Sequence, residues 1–158
     1  MISMNEQDLI FMNEALELAK IAKMQGEVPV GAVIVDNSGN IISKGYNLRE
    51  NKQNATAHAE LIAIEKACET LGSWRLSRCT LYVTLEPCPM CAGAIVNSRI
   101  ERVVFGAFDM QAGCCGTLLN FNAYPFNHSF KIEGGVLEKE CKEILVDFFK
   151  KKRKISLK

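Results

Sequence analysis

A chain of 158 residues is of the length of one domain and buries about two thirds of its unfolded surface. Apolar residues make up 48% and charged residues 23%, which excludes disordered and fibrous classes. The net charge of +1 hides an asymmetry, because Lys150 to Lys158 holds six basic residues and no acid, leaving 13 basic (19 less 6) against 18 acidic residues elsewhere. A globally basic nucleic-acid binder is therefore excluded, and the C-terminal tip is either a local phosphate contact or a solubilising tail.

Apolar runs such as Ala32 to Val35 fall far short of the roughly twenty residues of a bilayer span, so no membrane helix is expected. The start Met1-Ile2-Ser3-Met4-Asn5-Glu6 lacks a secretory pattern, which predicts a cytoplasmic protein with its seven cysteines reduced. An odd cysteine count also speaks against a disulfide framework and for metal binding or catalysis.

In chain order, Asp8 to Met24 carries helical spacing, with Asp8 in the first turn and Gly26 as a stop. Val30 to Val35 and Ile41 to Tyr46 flank the turn-rich Asp36-Asn37-Ser38-Gly39-Asn40 and predict a hairpin. His58 to Leu71 reads as a helix with Thr56 as a possible cap and Gly72 as terminator. Thr80 to Leu85 predicts a strand, Cys88 to Asn97 a helix with Pro87 near its first turn, and Arg102 to Ala107 another strand. Signals weaken from there to Lys131, where Leu118 to Phe121 offers a short helix. Glu138 to Lys152 closes the chain as an amphipathic helix with Leu145, Phe148 and Phe149 on its apolar side. No repeat or linker divides the chain, so residues 1–158 are expected to form a single domain with a basic C-terminal helix end. Its class is α/β, a three-layer α/β/α sandwich around a mixed central sheet.

Two segments carry chemistry, Thr56-Ala57-His58-Ala59-Glu60 and, thirty residues past His58, Pro87-Cys88-Pro89-Met90-Cys91. Both fall at predicted helix N-termini. Cysteines at i and i+3 in a first turn aim two sulfurs the same way, and the helix dipole favours their thiolates. With His58 they make three zinc ligands and leave a fourth tetrahedral position for water, as catalytic zinc requires. Glu60 is then placed as the proton carrier. Alone, a C-x-x-C is also a redox pair or half a structural site, and a buried histidine is usually just hydrogen-bonded. The order H-x-E followed by P-C-x-x-C is the pattern of zinc nucleobase deaminases. A four-ligand structural site would have to recruit Cys68, Cys79, Cys114, Cys115 or Cys141, none of which forms a second C-x-x-C. Adjacent Cys114 and Cys115 suit packing.

Beyond the metal motif, Gly26-Glu27-Val28-Pro29-Val30-Gly31-Ala32, Gly72-Ser73-Trp74-Arg75-Leu76, Thr84 to Ile95 and Arg102-Val103-Val104-Phe105-Gly106-Ala107 resemble the blocks of the bacterial tRNA-specific adenosine deaminase family. The likeness runs through nearly the whole chain. It implies a cytidine deaminase-like fold, one zinc per subunit, a homodimer, and conversion of the wobble adenosine of a tRNA anticodon stem-loop to inosine. The other reading of the same zinc site is a free-base or nucleoside deaminase acting on guanine or cytosine. The resemblance further implies attack at purine C6, with Glu60 protonating N1 and then ammonia, and a backbone N–H beside Ala59 holding the developing oxygen. By the same match Asn47 bonds the purine, although without the family it reads as a turn residue. Asp109 contacts the ribose or backbone of the flipped nucleotide, or is a solvated loop aspartate. Phe108 stands where some relatives carry a basic residue and offers stacking instead of a phosphate contact. Asn127-His128 resembles a segment near the RNA. At the C-terminal helix, Phe148 and Phe149 read as core, and Lys151, Lys152 and Arg153 as phosphate contacts.

Overall fold

The structure, a computed structural model, describes residues 4–156. Met1 to Ser3 and the last two residues, including Lys158 of the basic run, lie outside the described residues. The elements are α1 (Met4–Met24), β1 (Gly31–Val35), β2 (Ile41–Tyr46), α2 (Arg49–Lys52), α3 (Ala59–Leu71), β3 (Thr80–Leu85), α4 (Pro89–Ser98), β4 (Arg102–Ala107), a 3₁₀ turn (Phe121–Ala123), β5 (Lys131–Gly134) and α5 (Glu138–Ser156). The five strands form one sheet in the order β2-β1-β3-β4-β5. β1 pairs antiparallel with β2 and β3, whereas β3, β4 and β5 run parallel, so the sheet is mixed as the sequence implies.

The alternation of side chains along each strand sorts the core into two halves. Ala32 and Ile34 of β1, Leu81 and Val83 of β3, and Val103 and Phe105 of β4 pack under α3 and α4. Val33, Val35, Tyr82 and Val104 face Met12, Ala15 and Leu16 of α1 and Cys141 of α5. All five residues of β1 are buried because both faces are covered, which is why that strand is written as an uninterrupted apolar run. Close approach of the layers also dictates two glycines. A Cβ on Gly31 would fall 2.0 Å from the Ala15 carbonyl oxygen of α1, and one on Gly45 would fall 2.4 Å from the Ala59 carbonyl oxygen of α3.

Several local expectations are corrected. α1 begins at Met4, so Asp8 sits inside the helix and is buried instead of occupying an exposed first turn. His58, not Thr56, is the N-cap of α3, and the Thr56 hydroxyl donates to Asn54 Oδ1 instead. The proline in the first turn of α4 is Pro89, and Pro87 precedes the helix. Leu118 to Phe121 is not a helix; the turn lies at Phe121–Ala123, where the Asn120 side chain accepts from the Asn122 N–H. β5 and α2 were not expected, being short and nearly without apolar periodicity. Phe148 is half-buried and Phe149 exposed, so neither is core, because they lie toward the end of α5, past Cys141, where it packs over β3 and β4.

Asp8 explains how α1 is fixed to the sheet. Its carboxylate accepts both Arg102 guanidinium nitrogens of β4 at 2.8 Å and the Tyr82 hydroxyl of β3 at 2.7 Å. Arg102 also pairs with Glu133 of β5. Burial by itself raises the Asp8 pKa, but the Arg102 and Tyr82 hydrogen bonds and the guanidinium charge outweigh it and hold the carboxyl below its ordinary 3.8. Asp8→Asn leaves a half-buried guanidinium with only Glu133 as a charged partner and is expected to lower stability by about 3 kcal/mol in urea unfolding at neutral pH. Because the folded pKa is the lower one, the contribution is fully present above the ordinary value and lost as pH falls through the folded value. The gap between wild type and variant should therefore stay constant down to about pH 4 and close below it.

Candidate active site

The functional side chains converge where two helices begin. His58 is the N-cap of α3 and Cys88 the N-cap of α4, both in extended backbone and neither spending its side chain on capping. Cys91 follows one turn into α4 and is buried. His58 Nδ1 lies 3.7 Å from Cys88 Sγ and 3.6 Å from Cys91 Sγ, and the three ligand atoms lie within 4.8 Å of one another. A tetrahedral zinc with Zn–S ~2.3 Å and Zn–N ~2.0–2.1 Å has an S···N edge of about 3.6 Å, so these residues fit zinc in both chemistry and spacing. Among the described residues no other cysteine joins this cluster, which removes the four-ligand structural site. Cys79, Cys114, Cys115 and Cys141 are buried elsewhere in the packing.

Electrostatics point the same way. The Cys91 thiol donates to Cys88 and, against the opposing effect of burial, helps draw it down to about 4 together with His58. The same hydrogen bond, with burial, pushes Cys91 up. Two sulfurs competing for one proton beside an imidazole are a cation site. Burial pushes Glu60 up to about 7, because its carboxyl, 4% exposed, has only its own N–H, the Cys91 thiol and the His58 charge to favour ionisation.

These groups open on a cavity of about 170 Å³ lined by His58, Ala59, Glu60 and Cys88 on the helix side and by Val28, Val30 and Asn47 on the other. Its remaining wall includes Glu86, Asp109 and Ala112. A space of that size takes one base and not a length of chain. Asn47 is 7% exposed; its Nδ2 donates to the Val28 carbonyl at 3.4 Å, and its Oδ1 is buried without a partner. An unpaired acceptor in a pocket wall is costly unless a ligand supplies the donor. Asp109 is half-buried, and one of its oxygens accepts the Gln111 and Ala112 N–H groups.

Other predicted contacts are more dispersed. Arg153 reaches a groove formed with Ala107, Phe108, Met110 and Phe149, next to the loop that carries Asp109. Lys151 and Lys152 instead lie beside Met24 and Phe148, so the three cations do not share one face of α5. Phe108 is exposed in that groove and packs edge-on against Phe105. His128 is not near the pocket: its Nε2 bonds the Ile100 carbonyl before the start of β4, whereas the pocket lies past the ends of β3 and β4.

Two carboxylates escaped the sequence reading. Glu27 is fully buried and accepts the Glu50 N–H at 3.0 Å, the Asn51 N–H at 2.7 Å and Asn51 Nδ2 at 2.6 Å, anchoring the segment that follows Asn47. Glu86, 2% exposed, does the same for the opposite wall. The available signal was an isolated acid beside apolar strand residues, in Gly26-Glu27-Val28 and Leu85-Glu86-Pro87.

Comparison with known proteins agrees with this geometry. The pattern of the cytidine and deoxycytidylate deaminase zinc-binding region matches residues 5–107, which include every zinc-site residue. The tRNA-specific adenosine deaminase of Bacillus subtilis (strain 168) is 56% identical over 149 residues, covering 94% of this chain and 92% of that protein. The enzyme of the same name from Haemophilus influenzae is 49% identical over 94% of this chain and 87% of its own. This chain belongs to the tRNA-specific adenosine deaminase family. Among solved structures, one from work on A-to-I editing by tRNA:A34 deaminases at the wobble position superimposes with a TM-score of 0.83. It is 42% identical and covers 86% of this chain and 99% of its own. A guanine deaminase from Bacillus subtilis, also 42% identical, reaches a TM-score of only 0.61 over 68% of this chain and 69% of its own. Family membership accounts for the cofactor: this is a zinc-binding deaminase whose ligand cluster is His58, Cys88 and Cys91.

Loss of any ligand should abolish metal binding. His58→Ala and Cys91→Ser are expected to purify with background zinc by atomic emission, whereas Cys68→Ser and Cys141→Ser keep one zinc per chain.

Proposed function

We propose that this protein hydrolyses the exocyclic amine of the wobble adenosine in a tRNA anticodon stem-loop, yielding inosine and ammonia. The observation that carries the reading is the small pocket that brings together His58 and Cys88 of the ligand cluster, the buried Glu60 and Asn47, whose Oδ1 has no partner. When zinc is bound there, its open coordination position lowers the pKa of a water from about 15.7 toward ~7.

The chain's own groups then divide the work. Asn47 Oδ1 accepts a hydrogen bond from the purine and orients its ring. Glu60 moves protons to N1 and to the departing nitrogen as the C6–N bond breaks and a C6–O bond takes its place. The N–H groups at the start of α3, beside Ala59, hold the oxygen that forms. Enclosure by Val28, Val30 and Leu85 keeps bulk water from the reacting atoms.

An RNA substrate is favoured over a free base because the surface continues past the pocket. Asp109, exposed Phe108 and Arg153 form a path from the cavity toward the basic end of α5, and a base reaches so confined a site only when flipped out of its loop. Lys151 and Lys152, on the other side of that helix beside Met24 and Phe148, serve as further backbone contacts. We assign the protein to the cytoplasm as a homodimer. Exposed Leu118, Leu119, Tyr124 and Phe126 offer the second subunit an apolar, aromatic surface, with the Tyr124 and Phe126 rings 6.0 Å apart. Among the described residues no helix is long and apolar enough to cross a membrane.

The zinc-loaded protein, incubated with a wobble-adenosine stem-loop beside free adenosine, cytidine, cytosine and guanine, should make inosine at the loop position alone. Glu60→Gln should retain zinc and lose about 10²- to 10⁴-fold in turnover. Ammonia from a free base with the loop untouched would instead identify a base or nucleoside deaminase. Replacing Lys151, Lys152 and Arg153 together by alanine should weaken stem-loop binding and flatten the plot of log affinity against log salt by roughly 0.7 for each phosphate no longer neutralised.

A further inference from the structure

Glu86 follows β3 directly and precedes the ligand turn at Cys88, yet it neither joins the metal cluster nor carries a proton in the deamination. Its carboxylate is instead saturated by a single loop. Oε1 accepts the Asp109 N–H at 3.1 Å and the Thr117 hydroxyl, and Oε2 accepts the Cys115 N–H at 3.0 Å and the Thr117 N–H at 3.1 Å. Glu86 is itself tied down, since its N–H donates to the Ala107 carbonyl at the end of β4 at 2.9 Å. The loop closes so tightly over it that a Cβ on Gly113 would fall 2.4 Å from Glu86 Cδ. The same loop reaches the ligand turn through the Cys114 N–H, which donates to the Pro87 carbonyl at 2.9 Å.

A loop of nine residues with almost no regular structure has few contacts of its own to fix its shape, chiefly those that Asp109 makes with Gln111, Ala112 and Gly113. Here four donors spread over Asp109 to Thr117 converge on one buried carboxyl group, and a loop that moves away leaves its oxygens without those partners. The loop contributes Asp109 and Ala112 to the pocket wall facing Asn47.

We propose that Glu86 is a positioning residue for the deamination: it acts through the 109–117 loop, holding Asp109 and its neighbours at the spacing from Asn47 at which the flipped-out nucleotide is gripped. This rests on the RNA reading of the site. Both Glu86 carboxyl oxygens are taken up by loop donors, so it governs how well the nucleotide is held and not the speed of bond cleavage once it is in place.

Two variants test this, Glu86→Gln, which puts an amide N–H₂ among N–H donors, and the milder Thr117→Val, which removes one donor from the loop side. Hydrogen exchange read by mass spectrometry should show segment 109–118 exchanging about tenfold faster in Glu86→Gln, and less so in Thr117→Val, with α3 protection and zinc content unchanged. On the stem-loop, KM should rise about tenfold in Glu86→Gln with kcat within about twofold. Unchanged exchange in both variants would overturn the proposal, as would a loosened loop with an unaltered KM or a loss confined to kcat. A wild-type enzyme inactive on the stem-loop would sink the RNA reading alone, and the exchange data would still decide whether Glu86 holds the loop.

Discussion

Two helix N-termini meeting at one point are the constraint on which the rest of the site depends. α3 and α4 pack on the same face of the sheet, and each starts at a residue whose side chain points into the pocket instead of capping its own helix. That leaves the imidazole of His58 and the sulfur of Cys88 free, with Cys91 delivered by the first turn of α4. The partial positive charge at both helix starts favours the thiolates and whatever anion develops beside them. The meeting point is set by the sheet beneath, and the sheet by the close contacts that only glycine permits at Gly31 and Gly45.

The buried acids of this protein divide by how many donors reach them. Asp8 has a bidentate arginine and a tyrosine, Glu27 has three nitrogens of Glu50 and Asn51, and Glu86 has four donors from one loop. Each organises chain segments around itself. Glu60 is buried as deeply but lacks such a set, and its carboxyl consequently titrates near neutrality instead of staying ionised. The contrast separates carboxyls that tie chain segments together from the one in the pocket left without such partners.

The pocket is thus a rigid corner with two adjustable-looking lips that are in fact pinned. The segment after Asn47 is held by Glu27, and the 109–117 loop by Glu86. A groove continues outward from those lips, along Phe108 and Arg153, onto a helix that lies beyond the residues matching the deaminase zinc-binding region.

From local order alone, the amino-acid sequence determined the hairpin, the three long helices, the strands β3 and β4, and the zinc ligands with Glu60. Those features rest on short-range patterns: period-two and helical spacing, and a metal motif whose residues lie at helix starts. Only the tertiary structure decided which acids are satisfied and which is not, since the donors for Asp8 and Glu86 come from residues distant in sequence. It also separated Arg153 from Lys151 and Lys152, exposed Phe149 and paired β5 onto β4. Each of these depends on where the layers pack against one another, and neither spacing nor propensity along a single chain carries that information.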